Sequence, residues 1–156
     1  TYRTTRKPVL LKIAPDLALS DLDDLVTVAR KRGVDGMIVS NTTISRPDTL
    51  KDKATAQETG GLSGAPLYPL ATKMLAATFV RVEGQFPLVG VGGVDSAETA
   101  WGKIEAGATL VQLYSSLIYK GLGLVGEIKT GLLKRLAASG KPRLADCVGA
   151  KSADWV

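Results

Sequence analysis

The sequence places four polar side chains where they can bind a small ligand. Asn41, Thr42 and Thr43 offer a carboxamide and two hydroxyls at consecutive positions, and this set suits a polar heterocycle or a carboxylate. The same tripeptide also fits a simple turn or a helix cap, and alone it favours neither interpretation. Lys12 interrupts an apolar run, where a lysine either reaches a ligand or joins a structural ion pair. For Lys12 we favour contact with a ligand.

Two later segments have the composition of a phosphate site. Residues 90–93 read Gly-Val-Gly-Gly and lie just before Ser96, a predicted helix cap, so backbone N–H groups and the helix dipole would face an anion. Residues 114–116 read Tyr-Ser-Ser and add hydroxyl and N–H donors. The Rossmann fingerprint does not match, because Asp95 stands where its last glycine belongs. Either segment alone also fits a tight turn, whereas the two together favour phosphate binding.

Four short apolar runs must position these groups, because each polar segment follows one of them. The strands with their polar tips are predicted over residues 8–16, 36–43, 87–93 and 110–116. Each is followed along the chain by a stretch whose apolar residues have helical spacing. Repeated strand-then-helix order predicts a parallel sheet. In such sheets ligands bind at the carboxyl ends of the strands, where the polar residues of this sequence are predicted to lie.

The helix boundaries have local signals of their own. Ser20 is the predicted cap of the first helix and Gly33 its predicted end. Ser96 is predicted to cap the third helix, which runs to Gly107. The last helix is predicted to bury one apolar face, formed by Val125, Ile128, Leu132 and Leu136.

Residues 44–65 form a long segment without a convincing helical or strand period, and the segment includes the glycine-rich run 60–64. Loops of this length inside a domain are usually functional or disordered. Glycines let the backbone approach a ligand closely. We therefore expect a partly mobile lid that ends in a binding turn.

The composition excludes several classes of function. The 156 residues include no histidine, which excludes His-ligated metal sites and catalysis by imidazole, and no metal is expected. Cys147 is the single cysteine, which rules out an internal disulfide, and its neighbours do not favour a reactive thiol. The net charge of +5 comes from scattered lysines and arginines, so no nucleic-acid partner is expected.

The length favours one soluble domain, since 45% of the 156 residues are hydrophobic. No apolar run approaches the ~20 residues of a membrane span, and Thr1 does not begin a signal peptide. Four strand–helix units are half of what a (β/α)₈ TIM barrel needs. We therefore predict an α/β fold in which residues 1–156 are the C-terminal half of one barrel domain, completed by an N-terminal half. A self-sufficient open sheet is the alternative.

Five segments, in order, carry a resemblance to a known family. They are residues 11–16 (Leu-Lys-Ile-Ala-Pro-Asp), 40–47 (Ser-Asn-Thr-Thr-Ile-Ser-Arg-Pro), 58–64 (Glu-Thr-Gly-Gly-Leu-Ser-Gly), 90–94 (Gly-Val-Gly-Gly-Val) and 110–115 (Leu-Val-Gln-Leu-Tyr-Ser). Together they closely resemble quinone-dependent (class 2) dihydroorotate dehydrogenase over essentially the whole chain. The ending Leu113-Tyr114-Ser115 is more similar to this membrane-linked class than to the soluble classes.

The resemblance implies roles for eight residues. Asn41 and Thr42 would hold dihydroorotate or orotate. The residues that would bind FMN are Lys12, Ser40, Gly64, Gly93, Tyr114 and Ser115. Among these, Lys12 would lie at the isoalloxazine end of FMN and stabilise negative charge there, while the last three would bind the phosphate.

The resemblance also implies a reaction. Dihydroorotate would be oxidised to orotate in pyrimidine (UMP) biosynthesis, with electrons passing through FMN to ubiquinone or a related quinone. The catalytic base of this class is a serine of the N-terminal half, so no catalytic residue is expected here, and this chain alone is expected to be inactive. Peripheral attachment to the cytoplasmic face of the inner membrane is implied by the family only. The alternatives are a non-redox barrel enzyme with a phosphate-bearing ligand, such as an isomerase or synthase, and a non-catalytic half-barrel.

Overall fold

The computed structural model describes residues 6–156, which form short strands and helices in alternation, joined by loops and 3-10 turns. The strands are β1 (Leu10–Ile13), β2 (Gly36–Val39), β3 (Leu88–Gly90) and β4 (Leu110–Val111). The helices are α1 (Leu19–Arg32), α2 (Tyr68–Val82), α3 (Ala97–Ala106), α4 (Ser115–Lys120) and α5 (Gly123–Ser139). Each strand is shorter than the predicted range, mainly because the polar residues at its tip lie outside the sheet, and β1 and β3 also begin one or two residues later than predicted.

The sheet is parallel throughout, with its strands in the order β1-β2-β3-β4. Ile13 is paired with Val39, Val39 with Gly90, and Gly90 with Val111, so one row crosses the whole sheet. The predicted parallel sheet is therefore confirmed. The carboxyl ends of all four strands lie along the same edge, as parallel pairing requires.

The two faces of this sheet differ in how they are covered. Met37, Val39 and Leu88 are at most 1% exposed and pack with apolar residues of α1 and α2. Alternate residues of a strand point to the opposite face. One row on that opposite face consists of Lys12, Ile38, Val89 and Leu110. Since Leu110 is 59% exposed, the described residues cover this second face only in part.

Two predicted helix signals are confirmed. Gly33 adopts the left-handed conformation (φ 65°) after α1, and its N–H donates to carbonyls of the last helical turn. Ser96 caps α3, because its Oγ accepts the N–H of Thr99 at 3.2 Å while the Thr99 Oγ1 accepts the N–H of Ser96 at 3.0 Å. This reciprocal pair is a capping box, and it fixes where α3 begins beside the glycine-rich segment.

The predicted start of the first helix is wrong. Ser20 lies inside α1, which begins at Leu19 after Ala18, and no side chain caps it. The carbonyl of Ala18 accepts the N–H of Leu22 at 3.1 Å. Leu22 is fully buried, so packing of this residue sets the start of the helix in place of a local hydroxyl cap.

The buried face of the last helix is partly wrong. Within α5, Leu124 and Ile128 are 2% and 6% exposed, whereas Val125 is 40% exposed. The reason lies outside α5, because Leu124 packs against Val94 and residues of α3. The predicted Leu132 and Leu136 do pack against the core.

At 17 residues α5 is the longest helix of the described residues, and none of the helices in residues 6–156 is long and apolar enough to cross a membrane.

Candidate functional site

A cavity of about 380 Å³ opens at the carboxyl ends of the strands. This volume falls in the range of small-molecule sites. Its wall includes all eight residues to which the sequence assigned a ligand, which are Lys12, Ser40, Asn41, Thr42, Gly64, Gly93, Tyr114 and Ser115. The structure thus brings these residues together from four strand ends and one loop, and their individual roles stay predictions.

Backbone hydrogen bonds continue past β2 and fix the polar tip of that strand. The N–H of Asn41 donates to the carbonyl of Ile13 at 2.8 Å. The Asn41 Oδ1 accepts the N–H of Thr42 at 2.9 Å, which leaves the side-chain NH₂ group available as a donor. Ser40 is 2% exposed, and its hydroxyl donates to the carbonyl of Asn41 at 3.0 Å. The backbone of this tip and the side chains of Ser40 and Asn41 are therefore held by hydrogen bonds within the described residues.

Lys12 reaches the cavity from the partly covered face of the sheet. It is the third residue of β1, in the row of Ile38 and Val89. No salt bridge of the described residues includes Lys12. A structural ion pair is thus not formed within residues 6–156, and Lys12 lines the cavity.

The glycine-rich segment after β3 forms the opposite wall. Gly92 and Gly93 have φ values of 100° and 72°, a region that residues with a side chain rarely adopt. A Cβ atom on Gly93 would lie 2.5 Å from the Cβ of Tyr68. Only glycine allows the start of α2 to pack this closely on the segment, whose residues 91–94 line the cavity.

Two serine hydroxyls tie the ends of this wall together. The Oγ atoms of Ser63 and Ser115 are 2.8 Å apart, which joins the end of the 44–65 loop to the start of α4. Ser116 Oγ donates to the carbonyl of Val94 at 2.7 Å. The two polar segments that the sequence grouped as a phosphate site are therefore adjacent in space.

The 44–65 loop closes on itself beside the cavity. The N–H of Thr43 donates to the carbonyl of Leu62 at 3.1 Å, and the N–H of Leu62 returns a bond of 2.8 Å to the carbonyl of Thr43. Asp16, at the tip of β1, accepts hydrogen bonds from the Thr43 hydroxyl and from the Ser45 hydroxyl. The loop thus has a fixed base; the mobility predicted for it stays a prediction.

Sequence reasoning assigned no ligand to several other residues of the cavity wall, among them Gln112, Tyr119 and Lys120. Gln112 has a signal in the sequence, since it lies two positions after Leu110. Alternation along a strand therefore predicts that its side chain points to the face of the sheet that carries Leu110 and Lys12. Lys120 has none, because its contacts are tertiary: Nζ donates to the carbonyl of Asp95 at 2.7 Å and lies 3.4 Å from its Oδ2.

Comparison with known proteins agrees with this arrangement. A sequence model described as dihydroorotate dehydrogenase matches residues 1–136. The chain belongs to the dihydroorotate dehydrogenase family. It is 64% identical over 153 residues to dihydroorotate dehydrogenase (quinone) of Bradyrhizobium diazoefficiens, covering 95% of this chain and 42% of that protein. A protein of the same name from Rhodopseudomonas palustris is 62% identical over 143 residues, covering 92% of this chain and 39% of that protein.

Solved structures of the family have the same fold. The enzyme of Eimeria tenella in complex with ferulenol superposes with a TM-score of 0.88 at 37% identity, over 96% of this chain and 40% of that one. The ligand-free enzyme of the same organism superposes with a TM-score of 0.89 at 38% identity, over 94% of this chain and 40% of that one. The prediction of an α/β fold that forms part of a TIM barrel is confirmed by these neighbours. This member of the dihydroorotate dehydrogenase family spans 39–42% of the length of the curated relatives described here.

Proposed function

We propose that this chain supplies the cofactor cradle and half of the substrate contacts of a quinone-dependent dihydroorotate dehydrogenase. The observation that carries the proposal is one cavity with a lysine in its wall, a glycine-rich segment opposite, and a carboxamide beside them. The enzyme would oxidise dihydroorotate to orotate in pyrimidine biosynthesis. When bound, FMN supplies the redox chemistry of this reaction, taking a hydride from the substrate and passing electrons to a quinone.

The residues present fit FMN in two respects. Gly92 and Gly93, which have positive φ values, line the cavity, where their backbone N–H groups would be donors, and the Ser63 and Ser115 hydroxyls lie in the same wall. Such donors bind a phosphate group. Lys12 would supply positive charge at the other end, where negative charge develops on the ring system. Tyr114 would join Gly93 and Ser115 at the phosphate, while Gly64 and Ser40 would line the cofactor between the two ends.

The substrate would lie against the tip of β2. Asn41 has its Oδ1 engaged by Thr42 N–H, so its NH₂ group is oriented to donate to a carbonyl or carboxylate oxygen of dihydroorotate or orotate. The Thr42 hydroxyl adds a second polar group. No catalytic base is proposed within this chain, because Ser63 and Ser115 bond to each other and no activating base accompanies them.

The missing parts of the site would come from an N-terminal half of the same barrel. The sheet has two edge strands, β1 and β4, and one face on which Leu10 and Leu110 are 40% and 59% exposed. Closing a barrel pairs both edges and covers this face. The relatives, which are more than twice as long as this chain, have the length to provide that half.

The electron acceptor would approach along α4. Apolar side chains of this helix and its flanks are largely exposed beside the cavity: Tyr114 at 77%, Ile118 at 76%, Tyr119 at 85% and Leu122 at 81%. Two of them, Tyr114 and Tyr119, also line the cavity. An apolar surface that leads to the cofactor suits a lipid-soluble quinone and peripheral contact with the cytoplasmic face of the inner membrane.

The experiment is done on the complete protein that contains this chain. We expect the purified protein to show visible flavin absorbance, and orotate to perturb that spectrum. Asn41→Ala should weaken orotate binding about tenfold or more while FMN content stays near that of wild type, because it removes a substrate donor only.

Gln85→Ala is the matched control, since this amide side chain is exposed near the amino end of β3, away from the cavity. It should change neither quantity. A colourless protein that takes up no added FMN would contradict the proposed function, and loss of flavin from Asn41→Ala would show that the division of roles is wrong.

A further inference from the structure

Arg46 makes an unusual set of contacts with the 44–65 loop. Its guanidinium lies within hydrogen-bond distance of six backbone carbonyls, three of which share the two N–H groups of Nη1. The accepting residues are Thr43, Ile44, Ser45, Ala56, Glu58 and Gly60. Thr43 directly precedes the loop, Ile44 and Ser45 begin it, and the other three lie in its second half. The side chain is half-buried and takes part in none of the salt bridges of the described residues.

The shortest of these bonds leads to the substrate side of the cavity. Arg46 Nη2 lies 2.7 Å from the carbonyl oxygen of Gly60. The next residue, Gly61, packs so closely on Thr42 that a Cβ there would lie 1.9 Å from the Thr42 Oγ1. Thr42 in turn donates its N–H to the Asn41 carboxamide. A continuous chain of contacts therefore runs from the guanidinium to the two residues proposed to hold the substrate.

Only an arginine can make this set of bonds. The guanidinium is planar and carries five N–H donors on three nitrogens, which lets it bond carbonyls on both sides of the loop at once. The ammonium of a lysine keeps the charge but donates from a single atom. The contacts are also charge-assisted, which makes them stronger than bonds between neutral groups.

We propose that Arg46 is a positioning residue for dihydroorotate: it fixes the loop base that sets the orientation of Asn41 and Thr42, without touching the substrate. This inference rests on the proposed function, since it assigns the tip of β2 to the substrate. The proposed cofactor cradle has contacts of its own, between Ser63 and Ser115 and from Ser116 to the carbonyl of Val94, and none of them includes Arg46. Loss of the Arg46 contacts should therefore affect substrate binding far more than FMN binding.

The test compares Arg46→Lys and Arg46→Ala with wild type in the complete enzyme. Flavin content, melting temperature and orotate affinity are measured, the last from the change in the flavin spectrum. We expect orotate affinity to fall roughly ten- to hundredfold in both variants, since displacements of about 1 Å in a site have effects of this size, with flavin content near that of wild type. Added guanidinium ion, at concentrations that leave wild type folded, should restore part of the affinity of Arg46→Ala, and ammonium ion should not.

Arg30→Lys is the matched control, because Arg30 also donates to a backbone carbonyl but lies in the last turn of α1, outside the cavity. It should leave orotate affinity unchanged. Unchanged affinity in both Arg46 variants would overturn the inference alone. So would a joint fall of flavin content and melting temperature that guanidinium does not reverse, because that pattern belongs to a purely structural role. A wild-type enzyme that binds FMN but no orotate would overturn the proposed function as well.

Discussion

Lys103 is the residue of this chain whose environment conflicts most with its charge. It lies on α3, is fully buried, and its Nζ has no hydrogen-bond partner among the described residues. Burial lowers its pKa from 10.5 to about 7. Its Nζ lies 4.8 Å from the centre of the Tyr68 ring, and the face of that ring replaces only part of the water that an ammonium group loses. Lys103 therefore costs the folded state free energy whenever it is charged.

We predict that Lys103→Met stabilises the protein, by an amount that depends on pH. The folded-state pKa is below the unfolded value, so the unfolded state binds more protons between about pH 7 and about pH 10.4. The cost of Lys103 is full below about pH 7 and disappears as pH rises through this window. The free energy of unfolding should rise by roughly 1–4 kcal/mol at or below neutral pH, with a smaller gain near pH 10, as measured by urea denaturation.

Lys73→Met serves as the control for that measurement, since Lys73 is an exposed lysine on α2. It should change the free energy of unfolding little at any pH. A gain for Lys103→Met that does not shrink between about pH 7 and about pH 10 would show that the lysine is not neutralised by burial.

At the scale of elements, the position of α2 against the segment after β3 determines the shape of the proposed cofactor cradle. We predict that Gly93→Ala lowers FMN affinity at least about tenfold, because the added Cβ would lie 2.5 Å from the Tyr68 Cβ and would push the cradle and α2 apart. FMN binding is measured by titration of the apoprotein of the complete enzyme.

Gly84→Ala isolates the effect of the backbone from that of crowding. Gly84 has φ 71°, nearly the same as the 72° of Gly93, but a Cβ there would meet nothing within 4 Å. This variant should lose about 1 kcal/mol of stability and keep its FMN affinity. Equal losses of FMN affinity in the two variants would mean that backbone strain, and not contact with Tyr68, is responsible.

The elements also show what the sequence could and could not predict. Gly33 and Ser96 mark helix ends correctly, because a left-handed glycine and a capping box involve only neighbouring residues. Ser20 and Val125 mislead, because the burial of Leu22 and Leu124 depends on side chains that are distant in sequence. The short helix α4 has too few residues to show a period.

In the candidate site, too, local features were predictable from the sequence and tertiary contacts were not. The strand tips were predictable since a parallel sheet brings all carboxyl ends to one edge. The Asp95–Lys120 pair and the six carbonyl contacts of Arg46 were not, because each depends on how a loop or helix folds back in three dimensions.

At the scale of the whole molecule, the partly covered face of the sheet predicts where a second set of strands must pack. We predict that Leu110→Lys lowers the free energy of unfolding of the complete enzyme by more than about 2 kcal/mol, because a charge would then lie inside a closed barrel. In residues 1–156 alone the same change should have little effect, since Leu110 is 59% exposed there.

The control is Val80→Lys, on the outer side of α2, where the side chain is 53% exposed. It should be tolerated both in the complete enzyme and in residues 1–156 alone. A Leu110→Lys enzyme as stable as wild type would mean that the second face of the sheet stays open to solvent in the complete protein.

The closed base of the 44–65 loop predicts where insertions and deletions are tolerated in this protein. Two backbone bonds between Thr43 and Leu62 close the loop, and Arg46 bonds only to its first residues and to residues 56–60. Residues 48–52 lie outside these contacts and are largely exposed. Because lengthening a closed loop costs little entropy, insertions or deletions in this stretch should accumulate among relatives while the spacing of the binding residues on either side stays constant.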